Sequence, residues 1–199
     1  MKKQSAVWLL AAALVVALSP VSADASMIIL VTEAGGQVVF SATGSLDLTG
    51  AESDGDIGYD NGFIPGGSNW YLAPGSGGTV DLYFLSSAAG AFGTSGEFFS
   101  SPSSVSGDEF FIWGYGGGAP RVGVPVGYKS GAAITSGMVY DGATIAGFTM
   151  IPGTYTYTLP SDTITLRIGG VSSVPDPGAS LLLLGMGLVG LRAWQKRLQ

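Results

Sequence analysis

The sequence predicts an all-β fold, an antiparallel β-sandwich or jelly roll, on three observations. Short apolar runs alternate residue by residue, Gly- and Pro-rich turns separate them, and no stretch between the two ends keeps an apolar stripe of helical period. Residues 27–31 are apolar and β-branched, and 37–48 follow with Val38, Val39, Phe40, Leu46 and Leu48. Residues 79–85 set Val80, Leu82 and Phe84 on one face against Thr79, Asp81, Tyr83 and Leu85. Further strands are expected over 109–113, 121–126, 138–140 and 143–150. Residues 154–159 alternate hydroxyl and aromatic side chains, and 162–168 gather Ile164, Leu166 and Ile168 opposite Thr163, Thr165 and Arg167. Turn signals punctuate the runs at Ala34-Gly35-Gly36, Ile64-Pro65-Gly66-Gly67, Pro74-Gly75, Asp141-Gly142 and Pro152-Gly153. No repeat of fixed period is present, which argues against a solenoid.

Composition supports a packed body. Only 11% of the 199 residues are charged, but 46% are hydrophobic and 11% aromatic, too apolar for a disordered chain. The 33 glycines fit many tight turns between short strands. Between residues 26 and 174, three basic residues (Arg121, Lys129, Arg167) face twelve acidic ones, a net charge of −9. Such a body is repelled by phosphate backbones, so no nucleic-acid partner is expected. The chain has no Cys and no His. Disulfides, a Cys nucleophile, thiolate or imidazole metal sites and a Ser-His-Asp triad are thereby excluded.

Both ends read as addresses. Lys2 and Lys3 precede a thirteen-residue apolar run, 6–18, of signal-peptide length and short for a membrane span. Pro20 follows, then small-x-small sites ending at Ala23 and Ala25; cleavage is expected after Ala25, with Ala23 as the second choice. An uncleaved anchor is the competing reading. At the other end, Pro175-Asp176-Pro177 precedes an apolar segment, 179–191, and a tail, 192–199, carrying Arg192, Lys196 and Arg197. The two prolines stop structure from the body running on. Arg192 can snorkel, Trp194 suits the membrane interface, and the basic tail holds the cytoplasmic side. A buried C-terminal helix is the competing reading. The domains expected are therefore a signal peptide (1–25), a β-sandwich (26–173) and a C-terminal sorting segment (174–199) with a transmembrane helix.

This C-terminal order of Pro-acid-Pro, short apolar helix and basic cluster resembles the PEP-CTERM sorting signal over residues 174–199. Asp176 stands where that motif usually has Glu, keeping the negative charge one methylene closer to the backbone. The resemblance implies cutting near Pro175-Asp176-Pro177 by an exosortase, a membrane-embedded transpeptidase-like enzyme, and onward passage to the cell surface or extracellular polysaccharide matrix. Within the body, Gly44-Ser45-Leu46-Asp47-Leu48, Ser106-Gly107-Asp108-Glu109-Phe110-Phe111-Ile112, Val124-Pro125-Val126-Gly127-Tyr128-Lys129-Ser130-Gly131 and Ile151-Pro152-Gly153-Thr154-Tyr155 resemble stretches of an uncharacterised family of PEP-CTERM exported proteins. That likeness implies no known enzymatic activity. The string Gly185-Met186-Gly187-Leu188-Val189-Gly190 spells a dinucleotide fingerprint, but the chain ends nine residues later with no room for a βαβ unit.

Three features carry candidate chemistry. Glu52, Asp54, Asp56 and Asp60 offer oxygen ligands at spaced positions that suit Ca²⁺, yet the sixth position from Glu52, glycine in an EF-hand, is Ile57. A solvated acidic loop is the plain reading, with calcium as the alternative and no other cofactor expected. Asn69-Trp70-Tyr71, Trp113, Tyr115 and Tyr128 present aromatic faces able to stack on sugar rings, although such residues equally fill cores. Asp108 and Glu109 are the remaining acidic pair; as strand neighbours they point to opposite faces, which disfavours paired-carboxylate glycoside hydrolysis. The glycine-rich run 114–118 lacks the residues of a phosphate loop and reads as a flexible loop.

The expectation is an exported, non-enzymatic surface or matrix protein, handled in turn by signal peptidase, the export machinery and exosortase. It would be held transiently in the inner membrane before reaching the cell surface. A carbohydrate-binding or adhesive module contacting extracellular polysaccharide is the alternative. A carboxylate hydrolase is the third.

Overall fold

The computed structural model describes residues 26–169. The signal segment with Ala23 and Ala25, the motif Pro175-Asp176-Pro177, the expected transmembrane run and the tail with Arg192, Lys196 and Arg197 lie outside the described residues.

Alternation writes the first hairpin. β1 (Met27–Ala34) buries Met27, Ile29 and Val31, and β2 (Gln37–Ser45) buries Val38, Phe40 and Ala42. Their register pairs Val31 with Phe40 and closes at Ala34 opposite Gln37. The two intervening residues, Gly35 (φ 61) and Gly36 (φ 78), supply the two left-handed positions that a tight hairpin turn requires. Eleven further strands follow: β3 (Ser53–Tyr59), β4 (Gly62–Ile64), β5 (Trp70–Ala73), β6 (Gly78–Phe84), β7 (Ser87–Ala88), β8 (Ser104–Gly107), β9 (Phe111–Gly114), β10 (Arg121–Pro125), β11 (Ala133–Asp141), β12 (Gly153–Thr158) and β13 (Thr163–Ile168). No helix occurs among the described residues, so the expected all-β class is found.

The strands form two sheets. The seven-stranded sheet runs β7-β12-β13-β1-β2-β11-β8, and the six-stranded sheet β3-β6-β10-β9-β5-β4. All pairings are antiparallel except one: β1 lies parallel to β13, with Met27 opposite Ile164. A parallel pair needs a long return connection, and here almost the whole body lies between the two strands. The first and last strands thus sit side by side in the middle of a sheet, each flanked on its other side by an antiparallel neighbour.

One core unites the sheets. Phe40, Tyr140, Ile164 and Leu166 from the first pack with Phe63, Trp70, Leu72, Ile112, Val122 and Val124 from the second. Phe63 is the aromatic hub, with ring centroids at 4.9–5.6 Å from Phe40, Phe99, Tyr140 and Phe148. Turns are tied down by side chains: Asp162 Oδ2 accepts from Asp47 N–H at 2.7 Å, and Oδ1 from Thr163 N–H at 2.6 Å. This anchors the chain leaving β2 to the start of β13.

Two local expectations are corrected. Residues 143–150 are a turn, not a strand. Ile145 N–H donates to the distant Glu33 Oε2 and Gly147 N–H to Thr144 Oγ1, so one tertiary and one local bond wind the backbone while Ile145 and Met150 still reach the core. The acidic stretch expected as a loop is instead largely the edge strand β3. Its hydrogen bonds to β6 and the packing of Tyr59 against the smaller cluster of Ala73, Val80, Leu82 and Phe111 override the weak β-propensity of Asp and Gly.

Candidate functional site

The six-stranded sheet has two apolar faces. Register puts Phe63, Leu72, Ile112 and Val122 on the face toward the shared core. Their neighbours in each strand therefore point away from it. Ala73, Val80, Leu82 and Phe111 are buried in a second, smaller cluster there, and Tyr59, Tyr71 and Trp113 pack against it. An antiparallel sheet with one face on the core ordinarily turns polar residues outward; this one does not.

The outward aromatics form a groove of about 230 Å³, lined by Ile57, Tyr59, Tyr71, Phe98, Phe111 and Trp113. Ring centroids are 4.9 Å apart for Tyr59 and Phe111, 5.6 Å for Tyr71 and Phe111, and 6.2 Å for Tyr71 and Phe98, at mutual tilts of 48–61°. Tyr71 and Phe98 meet edge to face and the other two pairs are tilted, avoiding the face-to-face sandwich that aromatic quadrupoles disfavour. The rings make a concave trough, not a flat platform. Phe98, contributed by a loop, is 43% exposed.

The tyrosine hydroxyls are committed to the fold. Tyr59 Oη donates to the Ser76 carbonyl at 2.6 Å and accepts from Phe110 N–H at 3.0 Å. Tyr71 Oη donates to the Asp60 carbonyl at 2.5 Å. The groove therefore presents ring faces and edges rather than free hydroxyls. Along its flank, the Arg121 guanidinium sits 5.0 Å from the Phe84 ring centre and 5.6 Å from that of Trp113, and it pairs with Asp54.

Burial pushes the phenols of Tyr59, Tyr71, Tyr140 and Tyr157 well above the usual value near 10. In the unfolded chain these groups ionise near pH 10, whereas in the folded chain they hold their protons to higher pH. The folded state then binds more protons, so stability is intact below pH 10 and falls as pH rises beyond it. Spectrophotometric titration should show these tyrosines ionising together with unfolding. Free titration of all eight tyrosines near pH 10, with the fold retained, would contradict the packing.

The predicted site residues separate. Of the aromatic set, Tyr71 and Trp113 line the groove, and Tyr115 stands beside it with its ring 5.7 Å from that of Trp113. Trp70 points the other way into the core, against Tyr157. Asn69 Oδ1 accepts from Gly116 N–H, and the Tyr128 hydroxyl is engaged with the backbone of Leu46 and Ala132, so both tie loops together.

The carboxylate candidates scatter as well. A register irregularity falls between Ser53 and Asp56; Asp54 pairs with Arg121, Asp56 lies opposite Asp81, and Asp60 borders the groove. Among the described residues, no three of His, Cys, Asp and Glu gather as a metal-holding group. Asp108 holds the start of β11 by accepting from Thr135 N–H at 2.7 Å.

Tyr59, Phe98 and Phe111 are groove residues that sequence reasoning missed. For Phe111 the signal lay in the unbroken apolar run Phe110-Phe111-Ile112-Trp113, which marks a strand with both faces apolar; Tyr59 and Phe98 had none in the local pattern.

The fold and site together define an all-β, two-sheet protein with an aromatic surface groove. No protein-family model matches the chain, and no curated protein or solved structure matches it.

Proposed function

We propose that this chain is an exported cell-surface or matrix protein that works by contact, not catalysis, and that its β-sandwich engages the extracellular polysaccharide of the cell that makes it. The aromatic groove on the outer sheet face carries this reading. Exposed Phe98 and half-buried Tyr59, Tyr71 and Trp113 leave aromatic surface open there, which supports a binding role. Sugar rings present C–H faces that aromatic rings contact well, and the tilted trough suits a ring or a bent chain over a flat crystalline polymer. The net charge of −9 over the body favours neutral over anionic polymers. The signal peptide and the PEP-CTERM-like segment provide delivery: export, transient anchoring in the inner membrane, and exosortase processing near Pro175-Asp176-Pro177.

Affinity electrophoresis tests the contact. The protein recovered from its cells should be retarded in gels containing polysaccharide extracted from those cells. Trp113→Ala and Phe98→Ala should each weaken retardation about tenfold, as for an aromatic contact at the centre of an interface. Unretarded wild-type protein, or variants that migrate like it, would overturn this reading.

A further inference from the structure

A second cavity, of about 310 Å³, shares no lining residue with the groove and is built differently. Ser86 and Ser87 line it beside the seven-stranded sheet, while Ser68, Trp70 and Tyr115 line it from the six-stranded sheet and its loops. Glycine backbone from Gly114, Gly117 and Gly118 completes the wall. No charged side chain lines it.

Trp70 is the informative residue. It is only 6% exposed and packs 5.1 Å from the Tyr157 ring. Among the described residues, no side-chain nitrogen or oxygen is both buried and unpaired. The nitrogen edge of its indole lies against Gly114, which lines the same cavity. A cavity lined by an indole edge and three serines matches a ligand with donors and acceptors of its own better than an apolar one, which would displace water from those groups without replacing its hydrogen bonds.

We infer that this cleft is the subsite for one neutral sugar ring. The inference rests on the polysaccharide reading above and names where its specificity resides. The Trp113 and Tyr115 rings, 5.7 Å apart, connect groove to cleft, so a chain lying along the groove passes over Tyr115 into the serine-lined end. The groove supplies ring-face contact. The cleft reads hydroxyl positions through the serines and the indole edge. Exposed Tyr115, at 55%, covers the ring from above.

The test uses the full exported protein, with neutral oligosaccharides released from the extracellular polysaccharide of the same cells as probe, measured by titration calorimetry. The double variant Ser86→Ala/Ser87→Ala should bind about tenfold more weakly, as for the loss of one or two hydrogen bonds, and Tyr115→Ala by a similar factor. These positions are exposed, so unchanged urea midpoints show that the fold is intact. Wild-type affinity in these variants, with binding still lost in Trp113→Ala, overturns the cleft subsite and leaves the groove reading standing. Loss in the cleft variants with full binding in Trp113→Ala and Phe98→Ala does the reverse. No binding by the wild-type protein overturns both.

Discussion

Replacing Phe63 by alanine is expected to destabilise the protein by about 3–5 kcal/mol, the usual cost of deleting a buried aromatic ring. Phe63, on the six-stranded sheet, has no exposed surface and is contacted by Phe40 and Tyr140 from the seven-stranded sheet and by Phe99 and Phe148 from the connections. Deleting it leaves a void between rings that cannot all close in together, because Phe40 and Tyr140 are fixed by the central strands β2 and β11. Urea denaturation should show the loss as a lower midpoint at nearly unchanged slope. Phe63→Leu, which keeps most of the volume, should recover much of it. A loss below about 1 kcal/mol for Phe63→Ala would mean that this cluster does not join the sheets.

Gly114→Ala is expected to cost about 3 kcal/mol, for the opposite reason, overpacking. A Cβ on Gly114 would lie 2.2 Å from Cε2 and Nε1 of Trp70 and 2.5 Å from its Cζ2. The indole cannot swing aside freely, because it is buried against Tyr157. The substitution therefore either displaces Trp70 from the core or pushes β9 from β5, which pairs Trp70 with Gly114. Tryptophan fluorescence should shift to the red along with the fall in stability. An unshifted spectrum and an unchanged urea midpoint would contradict the placement of this ring.

Much of the fold was legible where alternation is clean. In β13, Ile164, Leu166 and Ile168 are buried as their spacing indicates, and in β12 Tyr157 is buried between less buried threonines. Elsewhere tertiary partners decided. Ser104–Gly107 has nothing apolar but Val105, and its strand character comes from pairing with β11. Residues 143–150 carry enough apolar side chains to suggest a strand, but Glu33, 112 positions before Ile145, captures the backbone and turns it.

The candidate site was legible in composition and not in orientation. Trp70 and Tyr71 are adjacent, so one must face inward and the other outward. Local pattern does not say which, because both faces of the six-stranded sheet are apolar. The answer lies in the register with β9, where Leu72 meets Ile112 and Tyr71 meets Trp113. The acidic stretch stays spread out for a similar reason. Oxygen ligands at alternate positions converge only in a loop that wraps an ion, and here β3 extends them along a sheet edge with Asp54 already paired to Arg121.

The measurement closest to the central claim, that this is an exported protein acting outside the cell, is the intact mass of the chain recovered from cells and medium, with and without a functional exosortase. The expected product begins near Ser26 and ends close to Pro175 when exosortase is active, and retains the C-terminal segment when it is absent. A chain still carrying Arg192 and the residues after it in exosortase-competent cells would contradict sorting and make the C-terminal run a plain membrane anchor.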